Sequence, residues 1–327
     1  MTAPHRIDRA GAAGPIRIPG SRHVTILMGL KDGARFVDAQ LDSLRDQTHA
    51  DWSLIVGDDG SADDGPHRVR TFATLHPDRT IRVIAAPRRG FAANYLSLLL
   101  AAGPATPYAA FSDQDDVWFP EKLARATAAL AALPPGTPGL YCGRTLVCGA
   151  DLTPTGYSPL FGRAPSFGNA LVQSLAGGNT MVMNRAALDL LQRAARRGAA
   201  PVSHDWWAYQ VVAGAGGQVI YDPEPVLLYR QHGGNAIGAN RGARARLARV
   251  AGLFGGTFRR WTDLNVAALW AAADCLTPEN RARLAAFGRA RRGRAAGRLA
   301  ALARLGIRRQ TRGGTITLWT AALLGRL

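Results

Sequence analysis

Cysteine is scarce in this chain. Cys142, Cys148 and Cys275 show neither metal-ligand spacing nor the density of a disulfide framework, so they read as reduced thiols of a cytoplasmic protein. Long apolar runs are missing too. None reaches the roughly 18 residues that a clear membrane-crossing helix needs. Residues 1–22 are rich in Ala, Gly, Pro and Arg and lack the apolar stretch of a secretory signal, so a disordered arm is expected there and export is not. No zinc spacing or recognition module speaks for nucleic acid. Acidic residues run out toward the end of the chain. From Arg241 onward 18 arginines face only Asp263, Asp274 and Glu279, so +15 of the net charge of +17 lies there and residues 1–240 are nearly neutral. Such a basic region suits an anionic membrane surface. Lysine is nearly absent while Arg and Ala abound, which biased nucleotide composition would also produce.

What is present is an alternation of strand and helix over 327 residues, enough for one large domain or two small ones. His23–Met28, Ser53–Val56, Ile81–Ile84 and Pro107–Phe111 are short β-prone apolar runs. Between them fall a helix with Val37, Leu41 and Leu44 on one face, capped by Asp32, then helices over about 66–75 and 91–102. Four such units predict a mostly parallel central sheet with helices on both faces. A helix follows Pro120, and Leu133–Gly139 is a turn-rich break. Residues 140–148 read as a strand, 149–168 as a loop, and 185–197 as a helix. Ser203 caps a further helix, 218–221 and 226–229 are strands, and from 241 the chain is helical and basic.

The chemistry concentrates in Phe111-Ser-Asp-Gln-Asp-Asp-Val-Trp118. Asp113, Asp115 and Asp116 fall within four positions at the carboxyl end of a strand, where open α/β sheets bind ligands. Carboxylates this crowded raise each other's pKa unless a cation sits among them. A hard divalent ion, Mg²⁺ or Mn²⁺, is the simplest partner, and such ions also take substrate phosphates. A second strand ends in Asp58-Asp59. Pro87-Arg-Arg-Gly-Phe-Ala-Ala-Asn94 is a basic turn, with Arg89 and Asn94 placed to lie along a nucleotide. Asp205 opens a helix, and His232 sits in a Gly-rich loop.

In this order the segments resemble family 2 glycosyltransferases with the GT-A fold, and within them the bacterial rhamnosyltransferase-like branch. The matching stretches are Val24-Thr-Ile-Leu, Gln40–Thr48, Val56-Gly-Asp-Asp-Gly-Ser61, the acidic run, Gly178-Asn-Thr-Met, His204-Asp-Trp-Trp207 and Leu228–Asn235. The resemblance implies a GT-A domain over 23–240, with a nucleotide-sugar half (23–132) and an acceptor half (133–240), followed by the basic helical region 241–327. It implies a metal-dependent enzyme that transfers a sugar, with inversion, from a nucleotide diphosphate sugar to an acceptor hydroxyl. The acceptor would be a saccharide or a lipid-linked saccharide of cell-surface polysaccharide or glycolipid assembly. Asp115 matches the metal-binding acid of the D-x-D motif, Asp113 its nucleotide-side partner, and His232 a histidine completing the metal shell. Asp58 matches the acid that contacts the base, and Asp205 the general base. The chain departs from the family's Pro-Thr-Tyr-Asn-like run after the first strand. Here Met28-Gly-Leu-Lys-Asp32 stands, and Lys31 offers a charge instead. A cytoplasmic enzyme, peripheral on the inner face of the membrane, is the expected setting.

Blander readings stand beside these. Asp58 also suits a turn cap, Asp205 a first-turn acid favoured by the helix dipole, and Arg88 and Arg89 solvated charges. The run Asp113-Gln-Asp115-Asp116-Val117 also fits the D-x-D-x-[TV] nucleophile motif of haloacid-dehalogenase-type phosphatases. That motif usually opens its fold, whereas here three β/α units precede it. A sugar nucleotidyltransferase would need a Gly-rich loop that Gly29-Leu-Lys-Asp-Gly33 does not supply. A non-catalytic membrane- or nucleic-acid-binding protein is the remaining alternative.

Overall fold

The computed structural model describes residues 21–233 and 256–327. The expected arm, but for residues 21 and 22, and the start of the basic region at 241–255 lie outside the described residues. β1 (Val24–Leu30) lies between β2 (Trp52–Asp58) and β4 (Tyr108–Ser112), parallel to both, and β3 (Ile81–Ala85) adds in parallel to β2. β1 is apolar and buried along almost its whole length, as a parallel strand covered on both faces must be. Its side chains alternate between two cores: Leu27 faces one, Ile26 and Met28 the other. α1 (Val37–Arg45), α2 (Gly65–Leu75) and α4 (Lys122–Ala131) cover the second core through Leu41, Val69 and Leu123. α3 (Phe91–Ala101), α6 (Arg185–Ala195) and α7 (His204–Gly214) cover the first through Leu98, Leu188 and Trp207.

Beyond β4 the sheet becomes mixed. β8 (Val182–Asn184) pairs antiparallel to β4 and to β6 (Gly139–Cys148), and β6 runs parallel to β9 (Gln218–Arg230). A two-residue strand, β5 (Val117–Trp118), returns antiparallel onto β9. Among the described residues the order is β3-β2-β1-β4-β8-β6-β9-β5, with β7 (Pro154–Tyr157) on the edge of β6.

Three local expectations change. The strands expected at 218–221 and 226–229 are one, β9, which runs through Pro223 and Pro225 and absorbs them in a register shift against Gly143 and Arg144. The 149–168 loop contains β7 and ends in a short helix, α5 (Phe167–Ala170). Asp32 does not cap α1, which begins at Val37 with no side-chain cap bond. Asp32 turns left-handed (φ 48°), and its carboxylate accepts from the Ala62 N–H at 2.7 Å, tying the β1 loop to the β2 loop.

The basic region is helical where described: α8 (Thr257–Ala271), α9 (Pro278–Arg292), α10 (Ala295–Arg304) and α11 (Arg312–Leu323). Phe258, Leu269, Phe287, Leu302 and Leu318 of these helices join the same core as α3, α6 and α7.

Candidate active site

The acidic run leaves the carboxyl end of β4 and is held from three directions. The Gln114 amide clamps the backbone of Lys31, accepting from its N–H at 2.7 Å and donating to its carbonyl at 2.9 Å. Arg230, at the end of β9, donates from Nε to the Asp115 carbonyl at 2.8 Å and from its backbone N–H to Asp116 Oδ1 at 3.2 Å. The Asn179 amide donates to Asp116 Oδ2 at 2.5 Å. Lys122 is buried beneath, donating to the Asn179 carbonyl and lying over the Trp118 ring.

Carboxylate oxygens of Asp113, Asp115 and Asp116 all lie within 4.8 Å of one another. Burial, then the charge of Asp115, pushes the Asp113 carboxyl up to about 7, and Asp205 adds to the shift. Burial raises Asp116 well above the carboxylate range, with Asp113 and Asp115 adding to it. Burial likewise lowers Lys122, against the pull of Asp116 and Asp113. Lys122 and the Arg230 guanidinium are fewer cations than the three carboxylates, and the hard oxygen donors fit a divalent cation of the Mg²⁺ or Mn²⁺ type. His232 Nε2 is 2.7 Å from Asp115 Oδ2, which puts an imidazole at the same point. The His232 ring packs against Phe36 at 4.6 Å, and Arg230 lies over the Phe36 ring at 4.7 Å. Asp116 is fully buried and engaged on both oxygens, so it serves mainly to anchor the run between Asn179 and β9.

Asp205 reaches this site through a stack of rings. The Tyr95 hydroxyl lies 2.6 Å from both Asp113 Oδ1 and the Ser112 carbonyl. Burial, then the charge of Asp113, raises the phenol well above its ordinary pKa and keeps it a donor. The Tyr95 ring stacks on His204 at 3.7 Å, and Phe111 meets His204 edge-on at 4.8 Å. His204 fits only because residue 178 is glycine: a Cβ there would lie 2.2 Å from His204 Nε2. Asp205 follows at the first turn of α7, with Oδ1 accepting from the Trp206 N–H at 2.7 Å. Ser203 occupies the cap position, with no side-chain cap bond.

Burial pushes His204 down to about 4, against the pull of Asp205, so it stays neutral in the folded protein. In the unfolded chain it protonates near 6.5. Its share of stability is therefore complete above that pH and is lost as pH falls toward 4, by roughly 3 kcal/mol. Urea unfolding of wild type and His204→Leu across this window should show wild type losing about that amount of stability relative to the variant as pH falls. Parallel stability curves would contradict the assignment.

The nucleotide-side residues stand at the ends of β2 and α3. Asp58 is half-buried, and its Oδ1 accepts from the Ser61 N–H at 2.8 Å, which makes it a turn acid with one oxygen left. Arg89 is exposed on the turn before α3. Asn94 is buried, and its amide donates to the Gly57 carbonyl at 2.7 Å. A Cβ at Gly57 would strike Asn94 Oδ1 at 2.1 Å, so glycine is needed for that approach. Asn94 thus holds α3 against the end of β2. Trp206 and Trp207 are core residues, and the Trp206 indole donates to the Ala170 carbonyl at 2.6 Å. Sequence reasoning gave no role to Lys122, Asn179, Gln114, Tyr95 or Arg230. For Arg230 there was a signal, since it lies two residues before His232.

A parallel four-strand half that ends in a carboxylate cluster and continues into a mixed sheet is the GT-A type of nucleotide-sugar transferase fold. S. aureus TarS (residues 1–349) in complex with UDP shares it, with a TM-score of 0.52 over 80% of this chain and 69% of that one, at 12% identity. The model of glycosyl transferase family 2 matches residues 26–187, and the chain belongs to that family. Among its relatives is the dTDP-rhamnosyl transferase RfbG of Shigella flexneri, 25% identical over 232 residues, 68% of this chain and 78% of that protein. Another is the UDP-Glc:alpha-D-GlcNAc-diphosphoundecaprenol beta-1,3-glucosyltransferase WfgD of Escherichia coli, 32% identical over 100 residues, 31% of this chain and 38% of that protein. The protein is a glycosyltransferase, and the phosphatase alternative is not favoured.

Proposed function

We propose that the protein transfers a sugar, with inversion, from a nucleotide diphosphate sugar to a hydroxyl of a saccharide or lipid-linked saccharide, in the assembly of cell-surface polysaccharide or glycolipid. The observation that carries this reading is the meeting of Asp113, Asp115 and His232 at the end of β4, with Asp205 close enough to raise the Asp113 pKa. Asp115 and His232 would hold Mn²⁺ or Mg²⁺, which when bound neutralises charge on the departing diphosphate. Asp113 faces the nucleotide side of that position, and Asp58 and Arg89 receive the nucleoside. Asn94 acts indirectly, by fixing the end of β2.

Asp205 accepts the proton of the acceptor hydroxyl. The freed oxygen attacks the anomeric carbon from the face opposite the diphosphate, the new C–O bond forms, and the bond to the diphosphate oxygen breaks. Asp205 is suited to this because its Oδ1 is fixed by the Trp206 N–H at the first turn of α7. Residues 23–132 would supply donor contacts and 133–240 acceptor contacts. The relatives named above act on rhamnosyl and glucosyl donors, and a diphosphoundecaprenol acceptor suits an enzyme working at the cytoplasmic face of a membrane, with the basic region toward the lipid.

A thermal-shift panel of UDP-, GDP- and dTDP-sugars, each with Mn²⁺ and with chelator, tests the reading. At least one should raise the midpoint by several degrees with Mn²⁺ and much less without, since a ligand stabilises the fold it binds by mass action. A panel with no Mn²⁺-dependent shift would count against it.

A further inference from the structure

α11 carries an apolar face that nothing among the described residues covers. Its inner side, Leu318, Ala321 and Ala322, is buried in the core it shares with α10. On its outer side Ile316, Trp319, Leu323 and Leu324 are 66%, 37%, 47% and 55% exposed. These four fall at i, i+3, i+7 and i+8, one stripe of a helix. Exposed Arg312 begins the helix and exposed Arg326 follows it. Residues 280–327 contain 12 arginines and no Asp or Glu. The stripe is therefore an apolar ridge on a stretch of chain whose charged side chains are all cationic.

From this we infer that the outer face of α11 docks on an anionic lipid bilayer, lying in the plane of its surface. The apolar side chains enter the headgroup boundary while the arginines meet lipid phosphates. The helix cannot cross: at 12 residues it is about 18 Å long against a hydrocarbon core of roughly 30 Å. No described helix is long and apolar enough to span a membrane. A second copy of the chain is the poorer occupant, because a two-fold contact through this stripe would bring like-charged arginines together without a carboxylate between them. The inference deepens the membrane-side reading above, rests on it for its purpose, and assigns it to one helix face rather than to the whole basic region.

The test is co-sedimentation of the full-length protein with phosphatidylcholine vesicles, with and without phosphatidylglycerol, for wild type and the double variant Ile316→Glu/Trp319→Glu. Both substituted positions are exposed, so the fold should tolerate them; circular dichroism and Mn²⁺-dependent nucleotide binding confirm that it does. Wild type should pellet with the anionic vesicles and not with the neutral ones. The double variant should lose roughly tenfold or more of the bound fraction, because its apolar anchors no longer leave water. Wild type staying in the supernatant with anionic vesicles, or a variant that binds as well as wild type, would overturn the assignment. So would wild-type self-association that the variant abolishes, which would give the face to a second copy. Nucleotide binding, read on the same samples, separates a failure of docking from a failure of the transferase reading.

Discussion

Asp115→Asn is expected to reduce sugar transfer by about a hundred- to a thousandfold or more, measured as nucleoside diphosphate released with acceptor present. The substitution keeps shape and removes a charge at the point of the cluster where the Asp115 carboxylate lies 2.7 Å from the His232 imidazole. The fold should survive, because it is the Asp115 carbonyl, not its side chain, that accepts from Arg230. Metal-dependent nucleotide binding should fall with activity. His232→Ala should be milder, on the order of ten- to a hundredfold, because the three carboxylates remain. A variant that is inactive yet binds nucleotide in a fully Mn²⁺-dependent way would move the metal site away from Asp115.

Asp205→Asn should lower transfer by about a hundred- to ten-thousandfold while leaving donor affinity nearly unchanged. Asparagine retains an oxygen to accept from the Trp206 N–H, so α7 should begin as it does now. What is lost is the acceptor of a proton. Transfer and donor binding are measured separately, the first by product formation and the second by calorimetry. Donor affinity falling in step with transfer would make Asp205 a donor-binding acid instead. The two variants thus divide the site: one should lose metal and nucleotide together, the other only the chemical step.

Much of this site was legible because its parts sit at element ends that periodicity reveals. The four alternating β/α units place the acidic run at the end of β4 and Asp58 at the end of β2, and the His204-Asp-Trp-Trp207 stretch marks the start of α7. The supports were not legible, because they join residues far apart in sequence. Asn179 reaches Asp116 across 63 positions and Arg230 across 114. Lys122 looked like an ordinary first-turn residue of a helix, yet the fold buries it near the Asp113 and Asp116 carboxylates. Asn94 was expected to lie along a nucleotide with Arg89, and the missing side chain at Gly57 draws it inward. Asp32 looked like a helix cap by composition, while four residues of loop separate it from α1. The continuity of β9 was hidden by two prolines, whose missing N–H groups mark a break unless a register shift accommodates them.

The central claim is that the Asp113–Asp115–His232 cluster binds a nucleoside diphosphate through a divalent ion. Calorimetric titration of UDP, GDP and dTDP into the protein, with Mn²⁺ and with chelator, tests it most directly. At least one nucleotide should bind with Mn²⁺ and bind at least about tenfold more weakly without it, and Asp115→Asn should erase that difference. Absence of Mn²⁺-dependent binding for every nucleotide, or a difference that persists in Asp115→Asn, would contradict it.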